Sequence, residues 1–533
     1  MEGLSKKNRD AGENEFFRID LLTGALRCWE GLAKFREDRE RCKRFTYGDQ
    51  WSDLMPGEYG PVTEEEYIMS QGNVPLKNNL IRRMVRNVLG VFRNRWSNPQ
   101  CVCHDPREET EASAMQRLIE YNIERNRLEE IYARTMEEFL ISGLAVHRKW
   151  YGRKGRHTDC WTDFVSPDHF FFDVSARDFR NLDISIIGEI HDMDFDTLCA
   201  TFAKEGYGWD ELHDEYAPLR NDTGPFGCFP GRDSDRGMCK VIEVWTREYR
   251  QMYLCHDPMK GEYFRVSPEN YQEIVIQEND RRQSVSGKKD KDSIINSRME
   301  ITEEWHYHFL TPSGRVLASG KSPYLHGRHP YIMKAYPFID GEIHSFVADI
   351  IDQQKYTNRL ISMYDWILRA SAKGVLLFPE DALPKGGSME EVVEEWSRFN
   401  GVLVYRPRTG SPLPQQIHAN SANHGVADLL SIQLSMMENV SGVNSALQGK
   451  LESSSMSGTL FSQQTKNSLT ALADLMKSYD NFILDATAVD ASNIRQFYTP
   501  ALIRSILGEE NPLQSSEYFF DSSLDFSFTK PEE

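Results

Sequence analysis

Apolar positions recur at helical spacing through the first 140 residues. From Glu15 to about Arg44, Phe17, Leu21, Leu22, Leu26, Trp29, Leu32 and Phe35 stand among many charges, which predicts a surface-lying amphipathic helix ended by Phe45–Trp51. A second helix is predicted from Asn78 to Trp96. Ile81, Met84, Val85, Val88, Leu89 and Phe92 form one side, with Arg82, Arg83, Arg86, Arg93 and Arg95 around it, as on a salt-bridged helix between subunits. A third spans Glu109 to Ile141. After Gly143 short runs of Val, Trp, Tyr and Phe are broken by Gly, Pro and Asp, the pattern of strands and turns. Leu144–Trp150, Ile184–His191, Val241–Arg250 and Ile301–Leu310 are the clearest strands, and the basic stretch Asn279–Ser293 reads as an exposed loop.

The second half returns to helices. Ile343–Ala372 has no Gly or Pro, and its apolar stripe is interrupted at mid-height by Gln353, Gln354, Lys355 and Asn358, so a packed helix with a polar belt is expected. A compact insert follows Gly374, with strands at Val375–Phe378 and Val402–Tyr405 around a helix at Met389–Phe399. Ala422–Glu438 is helical, Gly442–Ser457 is small and polar, and Gly458–Asp485 is a long last helix.

Composition narrows the function. The 533 residues are 40% hydrophobic and 27% charged, enough for three or four packed domains of about 150 residues each. The net charge of −19 has the wrong sign for a surface that grips nucleic-acid phosphates. No apolar run is long enough to cross a bilayer, and the first twenty residues lack a signal-peptide core, which predicts a protein that is cytosolic at synthesis and has no membrane partner. The nine cysteines are odd in number and confined to the first half, so free thiols are expected.

Sequence-local catalytic chemistry is sparse. Gly314–Ser322 resembles a phosphate loop, but five residues separate its glycines where Walker A has four, and Pro312-Ser313-Gly314 reads as a hairpin turn. His191, Asp192, Asp194 and Asp196 offer ligands for a divalent ion, and with it a metal-dependent phosphodiesterase or nuclease; the competing reading is a turn and helix N-cap before Thr197. Cys101, Cys103 and His104 lack a second ligand pair at zinc-finger spacing. Neither a metal nor a cofactor is expected, and the chain reads as non-enzymatic.

Three stretches, in order over most of the chain, resemble the portal proteins of tailed double-stranded-DNA bacteriophages. They are Tyr47-Gly48-Asp49-Gln50-Trp51; His329-Pro330-Tyr331 through Gln353-Gln354-Lys355-Tyr356-Thr357-Asn358; and Ser441-Gly442-Val443-Asn444 through Ser457-Gly458-Thr459. The resemblance implies an α+β, mostly α, ring subunit with wing, helical stem, small α/β clip and a short or absent crown. Residues 1–342 would be N-terminal helices and a β-rich wing, 343–373 a stem helix, 374–418 the clip and 419–442 the returning stem helix. Residues 443–457 would form a tunnel loop, 458–500 the long wing helix and 501–533 an acidic tail or crown remnant.

By the same resemblance, Asn444, Ser445, Gln448, Lys450, Glu452, Ser453, Ser454 and Ser455 would face DNA, and Glu390, Glu391, Glu394, Glu395, Trp396, Arg398, Arg406 and Arg408 would dock partners at the clip. The implied partners are further copies of the chain in a ring, typically of twelve, the viral DNA, the terminase (packaging ATPase), a tail or adaptor protein and the major capsid protein. The implied location is the virion, at a capsid vertex, after assembly in the bacterial cytoplasm. Charge agrees with a conduit. Duplex DNA carries one phosphate charge per about 1.7 Å, so a cationic bore would hold it fast. The clip instead has six acids (Glu380, Asp381, Glu390, Glu391, Glu394, Glu395) against four bases (Lys385, Arg398, Arg406, Arg408). A structural scaffold through which no DNA passes is the third reading.

Overall fold

The computed structural model describes residues 21–57, 60–103, 105–203, 208–216, 238–286, 294–373, 375–377, 388–397, 415–417, 425–443, 470–508 and 526–530. Among the described residues about 51% are helical and 27% strand, and every strand pair among them is antiparallel, which makes the class α+β with helix predominating. The chain divides into two units. One comprises Met1–Arg41, Val88–Ala348 and Leu469–Glu533; the other comprises Cys42–Asn87 and Asp349–Ser468.

The first unit is built on two sheets. In the larger, Val316–Lys321, Asn296–Leu310, Met238–Asp257, Ile186–Asp194 and Phe170–Phe172 lie side by side, and Glu262–Val266 adds to the far end of Met238–Asp257. In the smaller, Leu144–Lys154 is central between Tyr331–Ala335 and His157–Phe164. Their shared core includes Phe170, Phe171, Phe172, Trp245, Trp305 and Tyr331. Leu21, Ala25, Cys28 and Leu32 recur every three or four residues along the first helical segment and are buried in that core, so this segment packs inward and is not surface-lying.

Helix Ala473–Phe497 packs on the smaller sheet. Tyr479, Phe482 and Ile483 are fully buried, the Tyr479 hydroxyl donates to the Tyr132 carbonyl at 2.6 Å, and Lys149 Nζ meets Asp490 Oδ2 at 2.6 Å and Thr162 Oγ1 at 2.8 Å. A buried ammonium survives only with such partners.

Several expected boundaries change. The single helix foreseen at Glu109–Ile141 is two, Glu109–Asn126 and Leu128–Ser142, separated by Arg127 at φ 52°. Asn279–Ser286 belongs to helix Gln277–Ser286, held by Arg282 forked onto Asp257 at 2.6 and 2.7 Å, while 287–293 lie outside the described residues. Pro312-Ser313-Gly314 does form the hairpin turn, with Gly314 at φ 90° and its N–H on the Thr311 carbonyl. Near the C-terminus Phe526–Thr529 pairs with Gln100–Cys103, and Lys530 is ion-paired with Asp480.

In the second unit, helix Ala348–Lys373 is followed by the short strand Val375–Leu377, helix Met389–Ser397, strand Gln415–Ile417 and helix Val426–Ser441. Val375–Leu377 pairs with Gln415–Ile417. The expected strand at Val402–Tyr405 lies outside the described residues.

Candidate functional site

Two of the family-like stretches meet in the second unit, and polar side chains join them. Asn358 Nδ2 donates to Gln50 Oε1 at 2.7 Å, while Gln50 Nε2 donates to the Phe45 carbonyl at 2.9 Å. One turn earlier on the same helix, Gln354 Oε1 accepts from the backbone N–H groups of Leu80 and Ile81 at 3.0 and 3.3 Å, and Gln354 Nε2 reaches Asn358 Oδ1 and the Asn78 carbonyl. The opening amides of helix Leu80–Asn94 have no partner inside it; Asn79 Oδ1 accepts from the Arg82 N–H at 3.0 Å, and Gln354 takes the two amides that this local cap leaves open. Gln50, Gln354, Thr357 and Asn358 are all buried. The belt read from the sequence is therefore an anchored hub.

Charges extend the hub. Lys355 Nζ lies 2.8 Å from Asp53 and 3.1 Å from Glu64, Arg359 lies 2.5 Å from Glu64, and Arg44 lies 3.3 Å from Asp53. Glu64 starts a helix whose N-cap is Thr63, with Glu66 completing a reciprocal capping box. The foot of helix Ala348–Lys373 is thus fixed by hydrogen bonds and ion pairs.

The rest of that helix presents apolar side chains outward. Tyr356, Met363 and Trp366 are exposed at a spacing of seven and three residues. On helix Val426–Ser441, Leu429, Ile432, Met436 and Val440 form an exposed stripe at spacings of three, four and four. Solvent does not stabilise such a stripe; a packing partner does.

Of the anticipated clip residues, Glu390, Glu391 and Glu394 are exposed on helix Met389–Ser397, whose first turn is stabilised by Ser388 and Glu391 in reciprocal hydrogen bonds. Glu395 and Trp396 are helical positions in it. Arg398, Arg406 and Arg408 lie outside the described residues, as do Asn444, Ser445, Gln448, Lys450, Glu452, Ser453, Ser454 and Ser455 of the anticipated tunnel loop.

The anticipated metal set is not brought together. Asp194 is an N-cap, its carboxylate accepting from Thr197 N at 3.1 Å, and Asp196 lies within the helix it caps. Alternation along the strand puts Asp192 on the face opposite His191, near His169 at 3.7 Å. His191 instead faces Glu189 and Glu243. Sequence reading missed those two carboxylates, because Glu243 reaches His191 only through the register of neighbouring strands.

A family model described as Phage P22-like portal protein matches residues 26–517, and the chain belongs to that family. It is a portal protein of a bacteriophage, a component of the viral capsid that works with the DNA-packaging machinery, from a family that is structural and not enzymatic. A search of curated proteins gives no match. Among the described residues no helix is long and apolar enough to cross a membrane.

Proposed function

We propose that copies of this chain close into a ring, of twelve subunits by family resemblance, at one capsid vertex, and that double-stranded DNA enters and leaves through its bore. In this reading helix Ala348–Lys373 and helix Val426–Ser441 are the stem, residues 374–418 the clip and 443–457 the tunnel loop. The exposed apolar stripe of Leu429, Ile432, Met436 and Val440 is the observation that carries the proposal. Four large apolar side chains left in water along about 17 Å of helix, at 1.5 Å per residue, mark a surface that another molecule covers. A repeated copy of the same subunit is the covering surface a ring supplies.

The exposed acids Glu390, Glu391 and Glu394 support the clip as the docking point for the packaging ATPase and for tail or adaptor proteins. Small and polar residues from Asn444 to Ser455, with one base and one acid, suit contact with a moving polyanion. Deleting Ser445–Ser455 tests the channel: rings should persist while packaged DNA is lost. Packaging at the native level in that deletion would refute a role in DNA passage.

A further inference from the structure

Strand Ile186–Asp194 presents Glu189 and His191 on one face, and Glu243 stands directly across from Glu189 on the adjoining strand. His191 Nε2 lies 2.7 Å from Glu243 Oε2 and 3.9 Å from Glu189 Oε2, and one donor atom from each of the three residues falls within 4.8 Å of the others. From the second sheet come Arg148, 3.0 Å from Glu243, and Tyr331, its cross-strand neighbour. Glu243 is fully buried and its other oxygen accepts from Trp245 Nε1 at 2.7 Å.

This cluster lacks positive charge. Arg148 compensates one of two carboxylates, and the buried Glu189 Oε2 accepts no hydrogen bond of regular geometry. The buried Tyr331 hydroxyl beside them makes none of regular geometry. A buried carboxylate without enough compensation is held by a proton or by a metal.

We propose that Glu189, His191 and Glu243 form a structural binding site for one zinc-class divalent cation, pinning two strands of the larger sheet. Imidazole nitrogen and carboxylate oxygen suit Zn²⁺ and its analogue Co²⁺. Bonds of about 2.0–2.1 Å at tetrahedral angles place ligand atoms about 3.3 Å apart, between the 2.7 and 3.9 Å separations found. An ion entering between them opens one gap and closes the other by about 0.6 Å each. The Oε2 atom of Glu243 keeps a second lone pair for Arg148. His191 and Glu189 each retain a little solvent exposure, which gives the ion a way in. The site is independent of the ring and carries no catalytic claim.

The test titrates full-length protein with CoCl₂ and then ZnCl₂. Expected are visible Co²⁺ bands saturating at one ion per chain, displaced by Zn²⁺, with a rise of about 2–4 °C in the unfolding midpoint. His191→Ala and Glu189→Gln should each weaken binding by at least about tenfold while leaving the far-ultraviolet circular dichroism unchanged. Equal binding by His191→Ala, thiolate charge-transfer bands showing that cysteines hold the ion, or no binding at millimolar Co²⁺ would each overturn the assignment.

Discussion

Asn358 donates a 2.7 Å hydrogen bond to Gln50 across 308 positions of sequence, and both side chains are buried. The pair ties the foot of helix Ala348–Lys373 to the turn that follows helix Ala33–Tyr47. Replacing Asn358 by Leu leaves Gln50 Oε1, the Asn78 N–H and Gln354 Nε2 short of a partner. Each unsatisfied buried group costs about 1–3 kcal/mol. Thermal unfolding of Asn358→Leu should show a midpoint several degrees lower, and Gln50→Leu combined with it should cost less than the two separate losses added together.

The outward stripe makes a second prediction. Ile432→Asp or Met436→Asp places a charge where the proposed neighbour packs, while these side chains are already exposed in the single subunit. Light scattering on gel filtration should therefore show smaller species with an unchanged monomer fold. Reversing the charge at Glu390 or Glu391, to Lys, should leave assembly intact and weaken capture of the packaging ATPase.

Lys149 and Asp490 form a third case. Burial pulls the Lys149 ammonium below its ordinary value and pushes the Asp490 carboxyl above its own, each opposed by the partner. Lys149→Met leaves Asp490 buried without its cation and should destabilise the first unit by about 3–5 kcal/mol. The double change Lys149→Met, Asp490→Leu should recover much of that loss, which denaturant titration would measure.

Acid should weaken the fold through histidine before it protonates paired carboxylates. Burial, with a lesser contribution from charged neighbours, lowers His329 to about 3 and His308 and His326 to about 4. The unfolded chain protonates these rings near pH 6.5, so below that value it binds more protons than the fold does, and stability declines as pH falls from about 6.5 toward 4 for His308 and His326 and toward 3 for His329. Burial opposes ionisation of Glu243, but Arg148 and His191 outweigh it and hold the carboxyl at about 2; that contribution is present above the unfolded value of 4.5 and is lost as pH falls below it toward 2. His329→Phe should flatten the first part of the decline in midpoint against pH.

The strands of the first unit were legible because β-branched and aromatic residues cluster there in short runs, as in Val241–Trp245, and all four predicted strands are present at greater length. The break at Arg127 was not, since arginine is a good helix former and its residue type does not announce the left-handed backbone it adopts. Strand Gln415–Ile417 is short and polar, with no pattern to announce it. The polar belt on helix Ala348–Lys373 could be read, but its partners could not, because Gln50 and Asp53 approach from 300 positions away. His191 was singled out with the wrong companions for the same reason: sequence neighbours alternate faces of a strand, whereas Glu243 arrives through strand pairing.

Electron microscopy of the purified protein, with the subunit number counted and the bore measured, tests the central claim most directly. Closed rings with an open bore wide enough for a DNA duplex, about 20 Å, and a wall that is not strongly cationic are the predicted result. Monomers under every condition, or rings whose centre is filled by protein, would contradict it.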